Sequence, residues 1–269
     1  MKKIAFDRRL NVLETVKTAN SGHIGGSMGC MDILVALYYK IMDIEKIKTA
    51  APDRDRFILS KGHCAEALYA VFADIGFIPK ASLKTFASFG TLLAGHPAKK
   101  ITGVETATGS LGHGLSVGAG MGIGLKADQN PANIYVLMGD GEMAEGSVWE
   151  AVMSAVKYKL NNLTVIIDRN RLQISGDTED VMPLENLAKK LRAFGWECRV
   201  CNGHEPEELI NALTENKPLL RPLAVIANIV KGFGSAVMEN KAEWHHRVPD
   251  EIEFEQIKKD LTERRDNCG

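Results

Sequence analysis

Ile134-Tyr135-Val136-Leu137-Met138-Gly139-Asp140-Gly141 is an apolar run that stops on a Gly-Asp-Gly turn. A short apolar run closed by a turn signal reads as a strand buried on both faces. A helical pattern follows over residues 146–159, with Val148, Trp149, Val152, Met153 and Val156 predicted to face inward. A second apolar run at 163–167 then leads to Asn170. Strand, turn, helix, strand brings Asp140 and Asn170 together at the carboxyl rim of a parallel sheet. Both supply hard oxygens, the ligands that Mg2+ prefers and that Ca2+ or Mn2+ also accept. A metal held there would carry a diphosphate.

Working outward, further strands are predicted at 57–59, 196–201 and 222–230. Helices are predicted at 4–18, 31–41, 65–75, 115–128, 183–193, 205–214 and 249–265, with a short surface helix at 79–88 and Ser27 capping the second. Five buried strands alternating with helices give an α/β class. The expected architecture is a doubly wound, mainly parallel sheet with helices on both faces, forming one domain over residues 1–269. The helix at 115–128 carries Gly118, Gly120, Gly122 and Gly124. Each weakens a helix by about 1 kcal/mol relative to alanine. Either a subunit interface or close packing inside the domain accounts for them.

Several classes drop out. Net charge is −1, so nothing marks a nucleic-acid or anionic-membrane surface. No apolar run reaches membrane-spanning length, and charges interrupt the first nine residues, so a cytoplasmic protein is expected. Gly112-His113-Gly114-Leu115-Ser116-Val117 lacks the third glycine of a dinucleotide fingerprint, and no phosphate-binding GxxxxGK[ST] occurs. The five cysteines are scattered. Cys198 and Cys201 form a CxxC, but strand alternation turns them to opposite faces, and no second pair completes a zinc site.

The histidines narrow the reading. Five of the seven sit in turns or glycine-rich loops: Asn20-Ser21-Gly22-His23, Ser60-Lys61-Gly62-His63, Gly95-His96-Pro97, Thr108-Gly109-Ser110-Leu111-Gly112-His113-Gly114 and Trp244-His245. With Gly139-Asp140-Gly141-Glu142-Met143-Ala144-Glu145-Gly146, these motifs, in this order, resemble those of the transketolases over residues 19–246. The resemblance implies thiamin diphosphate and a divalent metal held by Asp140, Asn170 and the main-chain carbonyl of Leu172. It implies cofactor contacts from His63, Gly109, Leu111, Gly139, Gly141, Glu142 and His245. His23, His63, His96 and His245 would act on substrate hydroxyls and the developing alkoxide, work suited to imidazole near neutral pH. Glu145 would lie near the subunit interface.

Some positions depart from the family. His113 stands where glutamine is usual and ranks below the other histidines. Ile24 replaces a common proline. His204 and His246 read as hydrogen-bonded turn residues. Lys231 reads as an exposed lysine, with reach toward substrate or diphosphate as the alternative.

The largest departure is length. Transketolases continue into a pyrimidine-binding domain, which carries the glutamate that activates the cofactor and the basic residues that bind sugar phosphate. The chain therefore resembles the N-terminal subunit of a split transketolase. It would move a two-carbon ketol unit from a ketose (phosphate) to an aldose (phosphate), active only with a C-terminal partner subunit, as a heterotetramer. Other thiamin diphosphate enzymes share the metal motif, namely deoxyxylulose-phosphate-synthase-like proteins and the first subunit of α-keto-acid dehydrogenases. They do not require the four histidines together. A non-catalytic stabilising subunit would not need the intact motifs.

Overall fold

The computed structural model describes residues 1–215 and 220–268. Its centre is a five-stranded parallel sheet. The strands are β1 (Arg56–Leu59), β2 (Ile134–Gly139), β3 (Leu163–Arg169), β4 (Glu197–Asn202) and β5 (Leu223–Asn228), in the order β1-β2-β3-β5-β4. All five expected strands are present.

Side-chain alternation divides the core. Phe57, Leu59, Tyr135, Leu137, Ile166 and Val225 point to one face. Ile58, Val136, Met138, Val165, Ile167 and Ile226 point to the other. The first face is covered by α1 (Lys2–Ala19), α2 (Ile24–Ala36) and α3 (Ala65–Ile75). The second is covered by α4 (Gly114–Ala127), α5 (Gly146–Lys157) and α6 (Leu187–Ala193). Beside β4 runs α7 (Pro206–Thr214). The charged helix α8 (Glu251–Asp266) packs on α1 and starts from a reciprocal Asp250–Glu253 capping box. Cys198 and Cys201 join opposite cores, as the alternation requires.

Four local expectations change. Helix α2 begins at Ile24, with His23 as its N-cap, so Ser27 lies inside the helix and caps nothing. Its glycines are helical because neighbours press against them: a Cβ on Gly25 would sit 2.6 Å from the Trp244 carbonyl oxygen. The surface segment near 79–88 is a short 3-10 turn, Lys80–Thr85. The helix expected over 183–193 shortens to α6, capped by Asn186. On α5, Met153 is exposed and Trp149 is half-buried. A small hairpin, Leu172–Gln173 against Gly176–Asp177, follows β3 and had no sequence signal.

Candidate active site

The carboxyl ends of β1, β2, β3 and β5 open into a cavity of about 440 Å³. Of the residues expected to meet cofactor, metal or substrate, all but His23 line it. That position follows the rule for open α/β sheets, where ligands bind beyond the strand carboxyl ends.

One wall is made of oxygens. Asp140 is buried as β2 turns. Its Oδ1 accepts the Gly141 N–H at 2.8 Å, and its Oδ2 accepts the Arg171 N–H at 2.6 Å and Arg169 Nη1 at 3.0 Å. Asn170 Nδ2 donates to Asp168 at 2.8 Å, and its Oδ1 accepts the Leu172 N–H at 2.9 Å. The carboxylate and the amide are therefore fixed in orientation. Burial, and then the negative charge of Asp168, push the Asp140 carboxyl up from its ordinary value. A cation beside it would relieve that penalty. Among the described residues no trio of His, Cys, Asp or Glu gathers as a metal cluster. The donor set of one carboxylate, one amide and one main-chain carbonyl is of a different, oxygen-based kind, suited to a hard ion.

Positive charge adjoins these oxygens. Lys231, expected to be exposed, is only 2% exposed. The turn after β5 folds back on itself: Gly232 N–H donates to the Gly25 carbonyl at 2.9 Å, and Asn240 N–H to the Lys231 carbonyl at 3.0 Å. The side chain is thereby turned inward, its Nζ 3.3 Å from the Leu172 carbonyl and 3.1 Å from His245 Nδ1. Burial, and then the charge of Lys61, hold Lys231 down at about 8. An anion would relieve that strain on the charge. A cation site beside an anion site in one cavity fits a metal diphosphate.

The histidines form a ring. His23 is the hub, with ring centroids 5.4 Å from His63, 6.0 Å from His96 and 5.5 Å from His245. His63 and His245 are 5.1 Å apart. Burial, then the other histidines, lower His23 to about 4. Burial, then Lys231, lower His245 to about 3. Both are neutral at pH 7. His96 is shifted downward as well, mainly by burial. Gly109, with φ +146°, lets its loop lie against His96. A Cβ there would stand 3.2 Å from the ring, on a backbone that side chains rarely adopt.

Glu142 lines the cavity, but the fold uses both of its oxygens. They accept from Ser60 Oγ, from Gly112 N–H at 2.9 Å and from Gly139 N–H at 3.2 Å. The carboxylate ties the ends of β1 and β2 to the glycine-rich loop. His113 is exposed and contacts its own loop at Leu111 and Ser110. His204 is a turn residue as expected, with Nδ1 2.8 Å from Asp32 and Nε2 accepting the Val230 N–H at 2.9 Å. His246 is also in a turn, yet its ring lies 4.6 Å from that of His23.

Sequence reasoning missed four supporting groups. Lys61 and Asp168 form a fully buried ion pair at the carboxyl ends of β1 and β3. Arg169 joins Asp140 to Glu179. Glu66 accepts the His23 N–H at 2.6 Å and the Ser27 hydroxyl at 2.9 Å. The available signal was charge placed against apolar runs: Asp168-Arg169 closes a strand, and Glu66 opens a buried helix.

Comparison with known proteins agrees with this arrangement. Residues 1–266 match the family described as transketolase, thiamine diphosphate binding domain. The chain is 46% identical to an apulose-4-phosphate transketolase subunit of Phocaeicola vulgatus, over 95% of this chain and 92% of that protein. It is 39% identical to the 6-deoxy-6-sulfo-D-fructose transketolase subunit SqwG of a Clostridium species, over 87% of this chain and 86% of that one. The transketolase of Campylobacter jejuni superimposes with a TM-score of 0.87 at 30% identity, covering 97% of this chain but 42% of that longer one. Fold, motif order and whole-length similarity together place the chain in the transketolase family, in its N-terminal thiamin diphosphate-binding part.

Proposed function

We propose that this chain is the cofactor-holding subunit of a two-chain transketolase. The observation that carries the reading is the cavity itself: metal-type oxygens, Lys231 beside them, and a ring of histidines at close quarters. Bound thiamin diphosphate would supply the electron sink for breaking and re-forming a C–C bond next to a carbonyl. Asp140, Asn170 and the Leu172 carbonyl would hold its divalent metal, Mg2+ by the oxygen chemistry. Lys231 would meet the diphosphate. His245 would present an N–H to a developing alkoxide, and His23, His63 and His96 would hold or move protons on substrate hydroxyls. Residues 1–269 would act as one domain.

The donor would be a ketose and the acceptor an aldose. Relatives named for apulose 4-phosphate and for 6-deoxy-6-sulfo-D-fructose support sugars with an anionic end, and the ordinary pentose-phosphate reaction is a narrower alternative. Those relatives are themselves named as subunits rather than whole enzymes. That supports a C-terminal partner chain, which would bring the pyrimidine-binding domain; the assembly would be a heterotetramer, and its place the cytoplasm. The test is reconstitution with that partner. The pair should transfer a ketol unit from a ketose phosphate and not decarboxylate pyruvate. Asp140→Asn should remove metal-dependent cofactor binding while leaving the fold intact by circular dichroism. Full transfer by the Asp140→Asn pair would refute the assignment.

A further inference from the structure

His246 is a polar group that the reading above leaves without a task. It is solvent-exposed, whereas His23, His63, His96 and His245 are half-buried. Its ring stands edge-on to that of His23, at 4.6 Å and 67°. His23 is thus in contact with the cavity-lining histidines and also with an exposed one. Among the described residues the His246 ring nitrogens take no hydrogen-bond partner.

Its placement is nevertheless fixed. The backbone of Arg247 pairs with that of His23 in a parallel bridge. The Arg247 guanidinium lies 4.3 Å over the buried Trp244 ring and pairs with Glu243 at 3.1 Å and Glu253 at 2.6 Å. Arg247 is so occupied, and the imidazole beside it is open. An imidazole in this position suits a hydroxyl, to which it can donate or from which it can accept.

We propose that His246 is a specificity-determining residue that hydrogen-bonds a hydroxyl of the sugar chain beyond the two carbons transferred. This role rests on the function proposed above: with the reacting carbons in the cavity, the rest of the sugar is taken to run outward past His23, which touches the cavity-lining histidines. The exposed ring that His23 touches there is His246. It reads chain hydroxyls and contributes selection for longer aldose acceptors over the shortest one.

The experiment uses the assembled two-chain holoenzyme with one fixed ketose donor. Glycolaldehyde is compared with four- and five-carbon aldoses as acceptor, for wild type, His246→Phe and His246→Gln. Phenylalanine keeps the ring contact with His23 and removes the hydrogen bond. The preference for the longer aldose, as a ratio of kcat/KM values, should fall about tenfold in His246→Phe, the worth of one hydrogen bond. His246→Gln should recover most of it. An unchanged ratio would overturn the proposal; if both acceptors lose equally, His246 acts only through His23. Wild type that transfers no ketol unit even to glycolaldehyde would instead sink the proposed function, and this inference with it.

Discussion

Lys231 Nζ lies 3.1 Å from Nδ1 of His245. An ammonium has only protons to give, so Nδ1 accepts. The single ring proton of neutral His245 is therefore on Nε2, and the ring offers a donor from its other nitrogen. One buried lysine thus sets both the charge of the cavity and the tautomer of a histidine that lines it.

A proton-uptake measurement follows from this pair. Burial holds Lys231 at about 8, so at pH 8.5 the empty site is mostly unprotonated. A diphosphate entering the cavity should raise that value. Loading the assembled enzyme with thiamin diphosphate at pH 8.5 should take up roughly half a proton or more. Calorimetry in two buffers of different ionisation heat reads the number. Lys231→Met should abolish the uptake and weaken cofactor binding by about ten- to a hundredfold, the loss of a charge-assisted contact. Equal uptake by both proteins would remove Lys231 from the diphosphate site.

Glu66 predicts a pH dependence of stability. Burial pushes its carboxyl up to about 7. Because the folded value lies above the ordinary one of 4.5, the fold favours the protonated acid. That contribution is complete below pH 4.5 and is lost as pH rises through 7. Between pH 5 and pH 8.5 wild type should lose up to about 3 kcal/mol relative to Glu66→Gln. Urea midpoints at the two pH values test this. Parallel profiles for the two proteins would mean that Glu66 is charged throughout.

The Lys61–Asp168 pair should behave as a unit. Burial opposes charge on Lys61, but Asp168, together with Cys64 and Cys30, keeps the ammonium above its ordinary value. Asp168→Asn leaves that ammonium buried and unpaired, which should destabilise the chain by about 3–5 kcal/mol. Adding Lys61→Met should restore much of the loss, since the uncompensated charge is then gone. If the double variant is no more stable than Asp168→Asn, the damage comes from elsewhere, for example from the Asn170 amide that Asp168 also holds.

What the sequence disclosed depended on how local the signal was. Four of the strands are largely apolar runs, β4 alternates as Glu-Cys-Arg-Val-Cys-Asn, and the site loops sit at strand carboxyl ends, so both were legible. Lys231 was misplaced because its burial depends on a bond from Gly232 to Gly25, at the far end of the chain. The same distance problem hid Glu66, whose partner His23 lies 43 positions before it. The start of α2 was read as loop because Gly25, Gly26 and Gly29 are poor helix formers. Tertiary contact overrode propensity there: a Cβ on Gly29 would sit 3.1 Å from Ile229. The two-residue strands after Asn170 are too short to show any period.

The four glycines of α4 give the last test, because the structure separates them into pairs. A Cβ on Gly118 would lie 2.7 Å from Val136, and one on Gly122 3.4 Å from Leu160. Close packing within the chain therefore accounts for these two. A Cβ on Gly120 or Gly124 would meet nothing within 4 Å. With Val117, these two form one stripe, three and four residues apart, on an exposed helix face. An open glycine in a helix interior weakens it by about 1 kcal/mol relative to alanine. Gly120→Ala with Gly124→Ala should therefore stabilise the isolated chain by about 1–2 kcal/mol in urea, whereas Gly118→Ala should destabilise it. If another subunit seats on this stripe, the same double variant should weaken assembly in sedimentation while the chain itself grows more stable. A less stable isolated chain would show instead that Gly120 and Gly124 serve the helix internally, and the case for a docked face would fail.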